Sequence, residues 1–332
     1  MNKKFHNIII AEIGSNHDGN LLLAKKHVIS AKKCGADYVK FQMHIAEEET
    51  LKDAPSPTYF KKEDRYKYFK RINFSFRNWK KLKNFCKINK IGFLCSPFSI
   101  KAVDILEKLK VDFYKLPSGE LTNLPLLKRL KKTKKHIVLS TGMSNYTEID
   151  NAVKTLKKNI SILQCTSLYP CPLEKTGLNV FKTLKKKYKF KIGYSDHTLG
   201  LASGFSFAAN GASIIEKHFT LSKKLYGSDA KHSMEPPEFK IYVKTIKDIW
   251  KMNLFFVNKN NLLDYIKMKK IFEKSIVAKN NLKKNTKINI SHLNFKKPGD
   301  GIRADKFKKI IGKILKKNLN KDQKLKYSDF YK

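Results

Sequence analysis

Ionisable and hydroxyl side chains end short apolar runs at eight places along this chain. Acidic residues, lysines, serines and histidines bind anions, move protons and hold divalent metals. Loops are polar in any protein, but eight such ends are too many to dismiss. If the runs are parallel strands, their carboxyl ends meet at one mouth and form a single site. The residues are Glu12, Lys40, Gln42, Ser96, Lys115, Ser118, Glu120, Ser140, Thr141, Thr166, Ser167, Tyr169, Ser195, His197, Glu216 and His218.

Lys40 and Lys115 are predicted to point into this site beside several serines. Two ammonium groups with neighbouring hydroxyls suit a small molecule that carries both a phosphate and a carboxylate. A Schiff base on one lysine is the alternative chemistry. One amine would suffice for an imine, whereas paired charge attracts an anion, so the pattern favours anion binding.

His197 and His218 end consecutive runs. Adjacent strands lie about 5 Å apart, so both imidazoles could reach one divalent ion. A lone histidine in a loop is more often a satisfied surface group. Two at equivalent positions, with Glu12 and Glu216 nearby, favour a metal site, and nitrogen and oxygen ligands suit Mn, Fe, Co or Zn.

The elements that must position these residues alternate along some 250 residues. Helix-period segments separate the apolar runs, such as Leu21–Cys34, Ile100–Leu109 and Tyr146–Leu156. Eight such units predict an α/β fold, a (β/α)8 TIM barrel. A doubly wound open sheet is the alternative, but no GxGxxG follows any run. The predicted strands are Ile8–Ile13, Tyr38–Gln42, Gly92–Cys95, Phe113–Leu116, His136–Ser140, Ile160–Cys165, Lys191–Tyr194 and Ser213–Glu216.

Composition shifts predict the domain organisation. The barrel is expected over residues 1–250, a polar linker over 251–270, and a small β-rich domain over 271–332. Residues 43–75 form a long connection after the second strand. A connection of that length in a compact domain is usually a functional loop or lid.

The charge of the chain is strongly positive. Its 332 residues include 70 lysines and arginines against 28 acidic residues, a formal charge of +42. Such a charge can indicate nucleic-acid binding. However, nearly all of the cations are scattered lysines, whereas specific phosphate and base recognition favours arginine. The composition therefore favours a solvated basic surface, which is also compatible with an anionic substrate.

Targeting signals and cysteine usage indicate the cellular compartment. No apolar run approaches the roughly 20 residues needed to span a bilayer, and the N-terminus at Met1–Phe5 leads into no signal-peptide core. The five cysteines are odd in number and show no CxxC spacing. The sequence therefore predicts a soluble cytoplasmic protein with free thiols.

The ends of the runs also carry motifs in a recognisable order. In these segments the chain resembles the sialic acid (nonulosonate) synthases, which condense phosphoenolpyruvate with an N-acetylated hexose. Lys297–Ile302 is similar to the motif of that family's C-terminal antifreeze-like (SAF) domain. The segments are Ala11–His17, Val39–Gln42, Ser96–Ser99, Tyr114–Glu120, Leu139–Met143, Gln164–Ser167, Tyr194–Thr198 and Glu216–Thr220.

The resemblance implies roles for these residues. It implies Mn²⁺ held by His197 and His218, with Glu12 beside the metal and the reacting carbons. It also implies that Tyr169, Asp229 and Lys297 meet the sugar, and that the C-terminal domain covers the barrel of its partner in a domain-swapped homodimer. The phosphoenolpyruvate-binding residues that it implies are Lys40, Gln42, Ser96, Lys115, Ser118, Ser140, Ser167 and Ser195.

Three positions depart from the family pattern. Lys297 stands where an arginine is usual, and a lysine lacks its planar fork, so Arg303 could substitute. Asn285 replaces a turn glycine, but asparagine tolerates a positive φ. Ser167 replaces an asparagine found in some members, and its hydroxyl can still donate.

The resemblance thus implies an N-acetylneuraminate synthase-type enzyme that joins phosphoenolpyruvate to N-acetylmannosamine or a related N-acyl hexose, with C–O cleavage and release of phosphate. Synthesis of N,N′-diacetyllegionaminate or pseudaminate by the same chemistry is the nearest alternative. A barrel that condenses phosphoenolpyruvate with a phosphorylated aldose is more distant, because such barrels generally lack the C-terminal domain. A basic nucleic-acid-binding protein is the rival from another class.

Overall fold

A computed structural model describes residues 7–56 and 63–331 of the chain. The chain divides into two compact units, Met1–Phe255 and Phe256–Lys332. Each unit has a buried apolar core of its own. The N-terminal segment Met1–Phe5 and residues 57–62 of the predicted connection lie outside the described residues.

Eight parallel strands form the centre of the first unit. Their apolar, largely β-branched or aromatic residues are buried on both faces, as expected of a parallel sheet covered by helices. The strands are β1 (Ile8–Gly14), β2 (Tyr38–Met43), β3 (Gly92–Pro97), β4 (Phe113–Leu116), β5 (His136–Ser140), β6 (Ile160–Cys165), β7 (Lys191–Asp196) and β8 (Ile214–His218).

The sheet curls into a barrel. Strand β1 pairs with both β2 and β8, so the first and last strands of the sequence are neighbours. Pairing continues in order around the sheet to β3 on one side and β4 on the other, and these two strands lie side by side. The predicted (β/α)8 TIM barrel is therefore confirmed, and the open-sheet alternative is excluded.

Alternation along the strands places the functional residues inside the barrel. Ile8 and Ile10 of β1 belong to a small apolar cluster that also contains Phe113 and Ile214. Ile9 and Ala11 belong instead to the larger core under the helices. Since successive side chains point to opposite faces, Glu12 continues the inward row of Ile8 and Ile10, at the carboxyl end of the strand.

Helices cover the outside of the barrel. Several begin at a side-chain N-cap, and the helix Tyr146–Leu156 has a full capping box formed by Asn145 and Glu148. Four of them, the helices Ala46–Glu49, Arg65–Ile72, Ala202–Ala209 and Pro236–Leu254, were not predicted from the sequence. The helices are α1 (Leu21–Lys33), α2 (Ala46–Glu49), α3 (Arg65–Ile72), α4 (Phe76–Ile88), α5 (Ile100–Lys108), α6 (Leu124–Lys132), α7 (Tyr146–Leu156), α8 (Leu178–Lys187), α9 (Ala202–Ala209) and α10 (Pro236–Leu254).

The second unit is small and irregular. It begins with α11 (Ile266–Phe272) and contains the antiparallel pair β9 (Ser275–Ala278) and β10 (Leu293–Lys296). Isolated bridges and short 3-10 turns connect the rest. Asn285 has a φ of +69°, so this asparagine does adopt the left-handed conformation expected of the turn.

Two further observations concern the helices and the cysteines. None of the helices among the described residues is long and apolar enough to cross a membrane. All five cysteines are free, as predicted.

Candidate active site

The carboxyl ends of the barrel strands surround a cavity of about 500 Å³. A volume of this size holds a small-molecule ligand. The sequence-predicted site residues that line it are Glu12, Lys40, Gln42, Lys115, Ser118, Ser167, Tyr169, His197, His218 and Asp229.

Two lysines and two glutamates form a buried network in the cavity wall. The Lys40 ammonium lies 3.0 Å from Glu12 Oε1 and 3.5 Å from Glu216 Oε1. The Lys115 ammonium lies 3.0 Å from Glu216 Oε1. None of the four residues is more than 4% exposed. They come from four different strands, so only the closed barrel brings them together.

The two carboxyl groups of this network differ in charge. Burial raises the pKa of Glu12 to about 7, although Lys40 opposes the shift. Burial acts in the same direction on Glu216, but Lys115 and Lys40 outweigh it and lower its pKa to about 2. At neutral pH Glu216 is therefore ionised, while much of Glu12 is protonated. The network then carries excess positive charge, which favours an anionic ligand.

The two histidines face each other across the cavity wall, with ring centroids 5.4 Å apart. The Nδ1–H of His197 donates to the backbone oxygen of Thr166 at 2.8 Å, so Nε2 is left facing the hydroxyl of Tyr169 at 3.2 Å. Burial lowers the pKa of His218 to about 4, which keeps this ring neutral. A ring that is fixed by a backbone carbonyl and a neutral ring are both suited to bind a metal.

A divalent metal fits the atoms that this region leaves without partners. His218 Nδ1 and Asp229 Oδ2 lie 3.9 Å apart, and neither hydrogen-bonds to a described residue. Buried polar atoms normally have partners. Within residues 7–56 and 63–331, no group of three or more His, Cys, Asp or Glu side chains is arranged to hold a metal. An ion held by the two histidines would therefore need oxygen ligands from water or substrate.

The predicted serines fall into two groups. Ser118 and Ser167 line the cavity. Ser96, Ser140 and Ser195 are buried. Ser96 accepts a hydrogen bond from the Lys40 ammonium at 3.3 Å, and Ser195 donates one to Glu216 at 3.0 Å. These two hydroxyls therefore help to orient the Lys40 and Glu216 side chains of the charged network.

Asp229 reaches the cavity because of a glycine opposite it. Gly14 has a φ of +53°, and a Cβ at this position would collide with Asp229 Oδ2. Only glycine adopts that backbone conformation without strain and leaves the space open. Lys297 belongs to the second unit. There its ammonium lies 5.0 Å from the centre of the Phe272 ring.

Sequence reasoning missed part of the cavity wall. Glu216 was predicted only as a strand end near the metal site, although it accepts from both lysines. The long connection after β2 contributes residues without a recognisable motif, and only its length signalled a functional loop. The wall residues that had not been assigned a role are Ser15, His44, Glu49, Arg65, Phe69, Phe98, Pro117, Gly119, Glu120, Met143, Cys165, Glu216, Ser228 and His232.

Comparison with known protein families shows which family the chain belongs to. The model of the NeuB family matches residues 27–254, which is most of the chain. The chain belongs to the NeuB family. A SAF domain matches residues 273–330 of this NeuB-family protein, so both parts of the sequence-level resemblance are confirmed.

Individual relatives agree with this assignment. The chain is 38% identical to N,N'-diacetyllegionaminic acid synthase of Campylobacter jejuni over 95% of this chain and 98% of that one. It is 34% identical to the enzyme of the same name from Legionella pneumophila, over 94% and 91%. The crystal structure of N-acetylneuraminic acid synthetase from Leptospira borgpetersenii superimposes with a TM-score of 0.70 at 30% identity, covering 79% and 90%.

Proposed function

We propose that this NeuB-family protein is a nonulosonic acid synthase that joins phosphoenolpyruvate to the aldehyde of an N-acyl amino sugar. The observation that carries the proposal is the buried network of two lysines and two glutamates at the barrel mouth. Relatives that match this chain over more than nine tenths of its length are named as nonulosonic acid synthases. A new C–C bond forms, water adds to the phosphoenolpyruvate carbon that bears oxygen, and phosphate leaves with C–O cleavage.

Lys40 and Lys115 are the proposed anchor for phosphoenolpyruvate. Their ammonium groups compensate the phosphate and the carboxylate, and Ser118 and Ser167 are available to donate hydrogen bonds from the cavity wall. Because these groups are fixed before the substrate binds, they also stabilise the charge that the departing phosphate takes up.

Glu12 is the proposed residue for handling the water. Its Oε1 accepts from Lys40 and Gln42, whereas its Oε2 has no partner among the described residues. With a pKa raised to about 7, this carboxyl group can accept and return a proton near neutral pH. Glu12 can therefore orient and deprotonate the water that adds to the enol carbon.

His197 and His218 are the proposed ligands of the divalent metal, which is Mn²⁺ by the family resemblance. When bound, the metal supplies Lewis-acid polarisation of the sugar aldehyde. Asp229 lies beside His218 and can accept hydrogen bonds from sugar hydroxyls. Tyr169 lies against His197, with ring centroids 4.2 Å apart, and forms the neighbouring wall.

For the acceptor we favour a 2,4-diacetamido-trideoxyhexose, which would give N,N'-diacetyllegionaminate. The legionaminic acid synthases match this chain over more than nine tenths of its length. The N-acetylneuraminic acid synthetase structure covers a smaller share at lower identity. N-acetylmannosamine remains the acceptor to compare against.

The test is to incubate the protein with phosphoenolpyruvate, Mn²⁺ and each acceptor, and to weigh the products while measuring phosphate. Phosphoenolpyruvate labelled with ¹⁸O in its C–O–P bridge should transfer the label to phosphate, because the C–O bond breaks. If no phosphate is released from phosphoenolpyruvate with any of the acceptors, the proposal is wrong. A larger kcat/KM for N-acetylmannosamine would reverse the choice of acceptor.

We further propose that the second unit acts on the partner's barrel in a homodimer. The first residues of the second unit expose apolar side chains, and Phe256 is 92% exposed. Such a surface normally binds another surface. Mixing full-length His218→Ala protein with a full-length Lys297→Ala, Arg303→Ala double variant should then restore activity that neither has alone. Mixed dimers without activity would exclude a cap supplied by the partner.

We also propose a cellular compartment for the reaction, on the basis of the cysteines. All five cysteines are free, which is the expected state in a reducing compartment. We therefore place the reaction in the cytoplasm.

A further inference from the structure

A chain of hydrogen bonds leads away from Glu12 into the connection after β2. Gln42 Nε2 donates to Glu12 Oε1 at 2.7 Å, and Gln42 Oε1 lies 3.0 Å from His44 Nε2. His44 Nδ1 lies 2.7 Å from Glu49 Oε1. Four side chains, from β1, β2, the turn after β2 and the short helix α2, are thus connected in series. The family resemblance assigned no role to His44 or Glu49.

The partners of His44 determine which of its atoms carry protons. The Gln42 amide donates through its nitrogen to Glu12, so its oxygen is the atom that faces His44 and can only accept. The Glu49 carboxylate can also only accept. In this arrangement each ring nitrogen of His44 faces an acceptor, Nε2 the Gln42 oxygen and Nδ1 the Glu49 carboxylate.

The surroundings of the ring hold it in this arrangement. His44 is 3% exposed and stacks on two aromatic rings, with centroids 3.8 Å from Phe69 and 4.1 Å from Phe98. Glu49 holds the other edge of the ring, and its side chain is only 6% exposed in this contact.

We propose that His44, held by Glu49, is a positioning residue that fixes the Gln42 amide and thereby orients the Glu12 carboxyl group in the cavity. Without a donor on its oxygen, the Gln42 amide could rotate and present that oxygen to Glu12. Glu12 Oε1 would then lose its N–H partner, and Oε2, the oxygen without a protein partner, would no longer be held toward the cavity. This inference rests on the proposed role of Glu12.

The first test does not need turnover. In the wild-type protein, ¹⁵N-resolved NMR of the imidazole groups should show an N–H on each nitrogen of His44, one directed at Gln42 and one at Glu49. The signal is assigned by its loss in His44→Phe, a variant that keeps an aromatic ring between Phe69 and Phe98. If one nitrogen of His44 carries no proton, the proposed arrangement is wrong, whether or not the enzyme proves to be a synthase.

The second test is a double-variant cycle on turnover. Gln42→Ala and His44→Phe should each lower kcat about ten- to a hundredfold, the cost of a lost hydrogen bond to a charged group. Since both act through Glu12, the double variant should be little worse than Gln42→Ala alone. The KM for phosphoenolpyruvate should change less than kcat. Effects that multiply in the double variant would overturn the proposal.

Glu49→Gln gives a milder probe with a matched control. The variant keeps the shape of the side chain and an oxygen acceptor but removes the charge opposite His44, so kcat should fall severalfold. Glu48→Gln removes the neighbouring charge of the same short helix, where the side chain is exposed, and should leave kcat unchanged. Equal losses in both variants would mean that general charge around α2 matters and that the His44 contact does not.

Discussion

Two buried networks of charged side chains share the end of the barrel, and they differ in whether their hydrogen bonds are complete. In the first, Lys217 donates to the backbone oxygen of Thr198 at 2.6 Å and lies 3.0 Å from Asp196 Oδ2. Asp196 also accepts from Tyr242 at 2.8 Å and from the Thr198 backbone at 2.9 Å. Both oxygens of this carboxylate therefore have partners.

The second network, at the cavity, is incomplete. One oxygen each of Glu12, Glu216 and Asp229, and one nitrogen of His218, hydrogen-bond to none of the described residues. Glu12 and Glu216 are buried as deeply as Lys217 and Asp196, so for these carboxyl groups the difference lies in the missing partners. A satisfied network stabilises the fold, whereas an unsatisfied one at a cavity is prepared for a ligand.

One strand serves both networks because its side chains alternate. Glu216 and His218 line the cavity, while Lys217 between them points to the other side. There Lys217 binds the backbone just after His197. Lys217 lies on β8, the strand that carries His218. From there the complete network supports the loop that carries His197.

The largest effect is expected at the incomplete network. His218→Ala should lower turnover by about three orders of magnitude, since Lewis-acid catalysis contributes several kcal/mol. Because the removed nitrogen has no protein partner, the free energy of unfolding without metal should change little. Metal content measured by mass spectrometry should fall as well. Full activity of the variant in chelator-treated buffer would refute the metal role.

The complete network should respond in the opposite way. Lys217→Met leaves Asp196 buried without its cationic partner, and loss of one member of a buried pair typically costs about 3–5 kcal/mol of stability. Lys115→Met is the control, because Glu216 keeps its contact with Lys40. Urea denaturation measures both. If Lys217→Met and Lys115→Met lower the free energy of unfolding equally, the two networks do not differ in how much they stabilise the fold.

The sequence predicted the barrel well because its information is local. Each strand is a short buried run with a polar end, and the order of the runs leaves few arrangements. The same local pattern located His197 and His218. It could not reveal that Lys40 and Lys115 share Glu216, because that contact joins β2, β4 and β8 and depends on closure of the barrel.

Other features had no local signal. His44 and Glu49 look like ordinary polar residues of a loop until the fold places them beside Gln42. The helix α9 consists largely of alanine, glycine, serine and phenylalanine with little polar alternation. Its sequence therefore shows no helical period, and the helix was missed.

The lysines of the cavity should affect binding more than folding. Lys40→Ala or Lys115→Ala removes one charge-assisted contact, which costs about 1.5–3 kcal/mol and raises the dissociation constant for phosphoenolpyruvate roughly ten- to a hundredfold. Affinity for the acceptor sugar should change less. Calorimetric titration of both substrates checks this, and equal losses for the two would indicate general damage to the cavity.

His17 provides the smallest and most discriminating test, because it is a buried unsatisfied group that does not line the cavity. Its Nδ1 accepts from the Gly19 backbone at 3.1 Å, its ring stacks on Phe74, and its Nε2 has no hydrogen-bond partner among the described residues. Burial lowers the pKa of His17 from 6.5 to about 3. An incomplete group outside the cavity should therefore weaken the fold in acid.

The sign of this effect follows from proton binding. Below pH 6.5 the unfolded chain binds a proton at His17 and the folded protein does not, so stability falls as the pH decreases from 6.5 toward 3. At pH 5 the loss from this group is about 2 kcal/mol. His17→Gln should lower stability at pH 7.5 but reduce the further loss between pH 7.5 and 5 by about that amount. An unchanged pH dependence in urea denaturation would show that His17 is not buried in its neutral form.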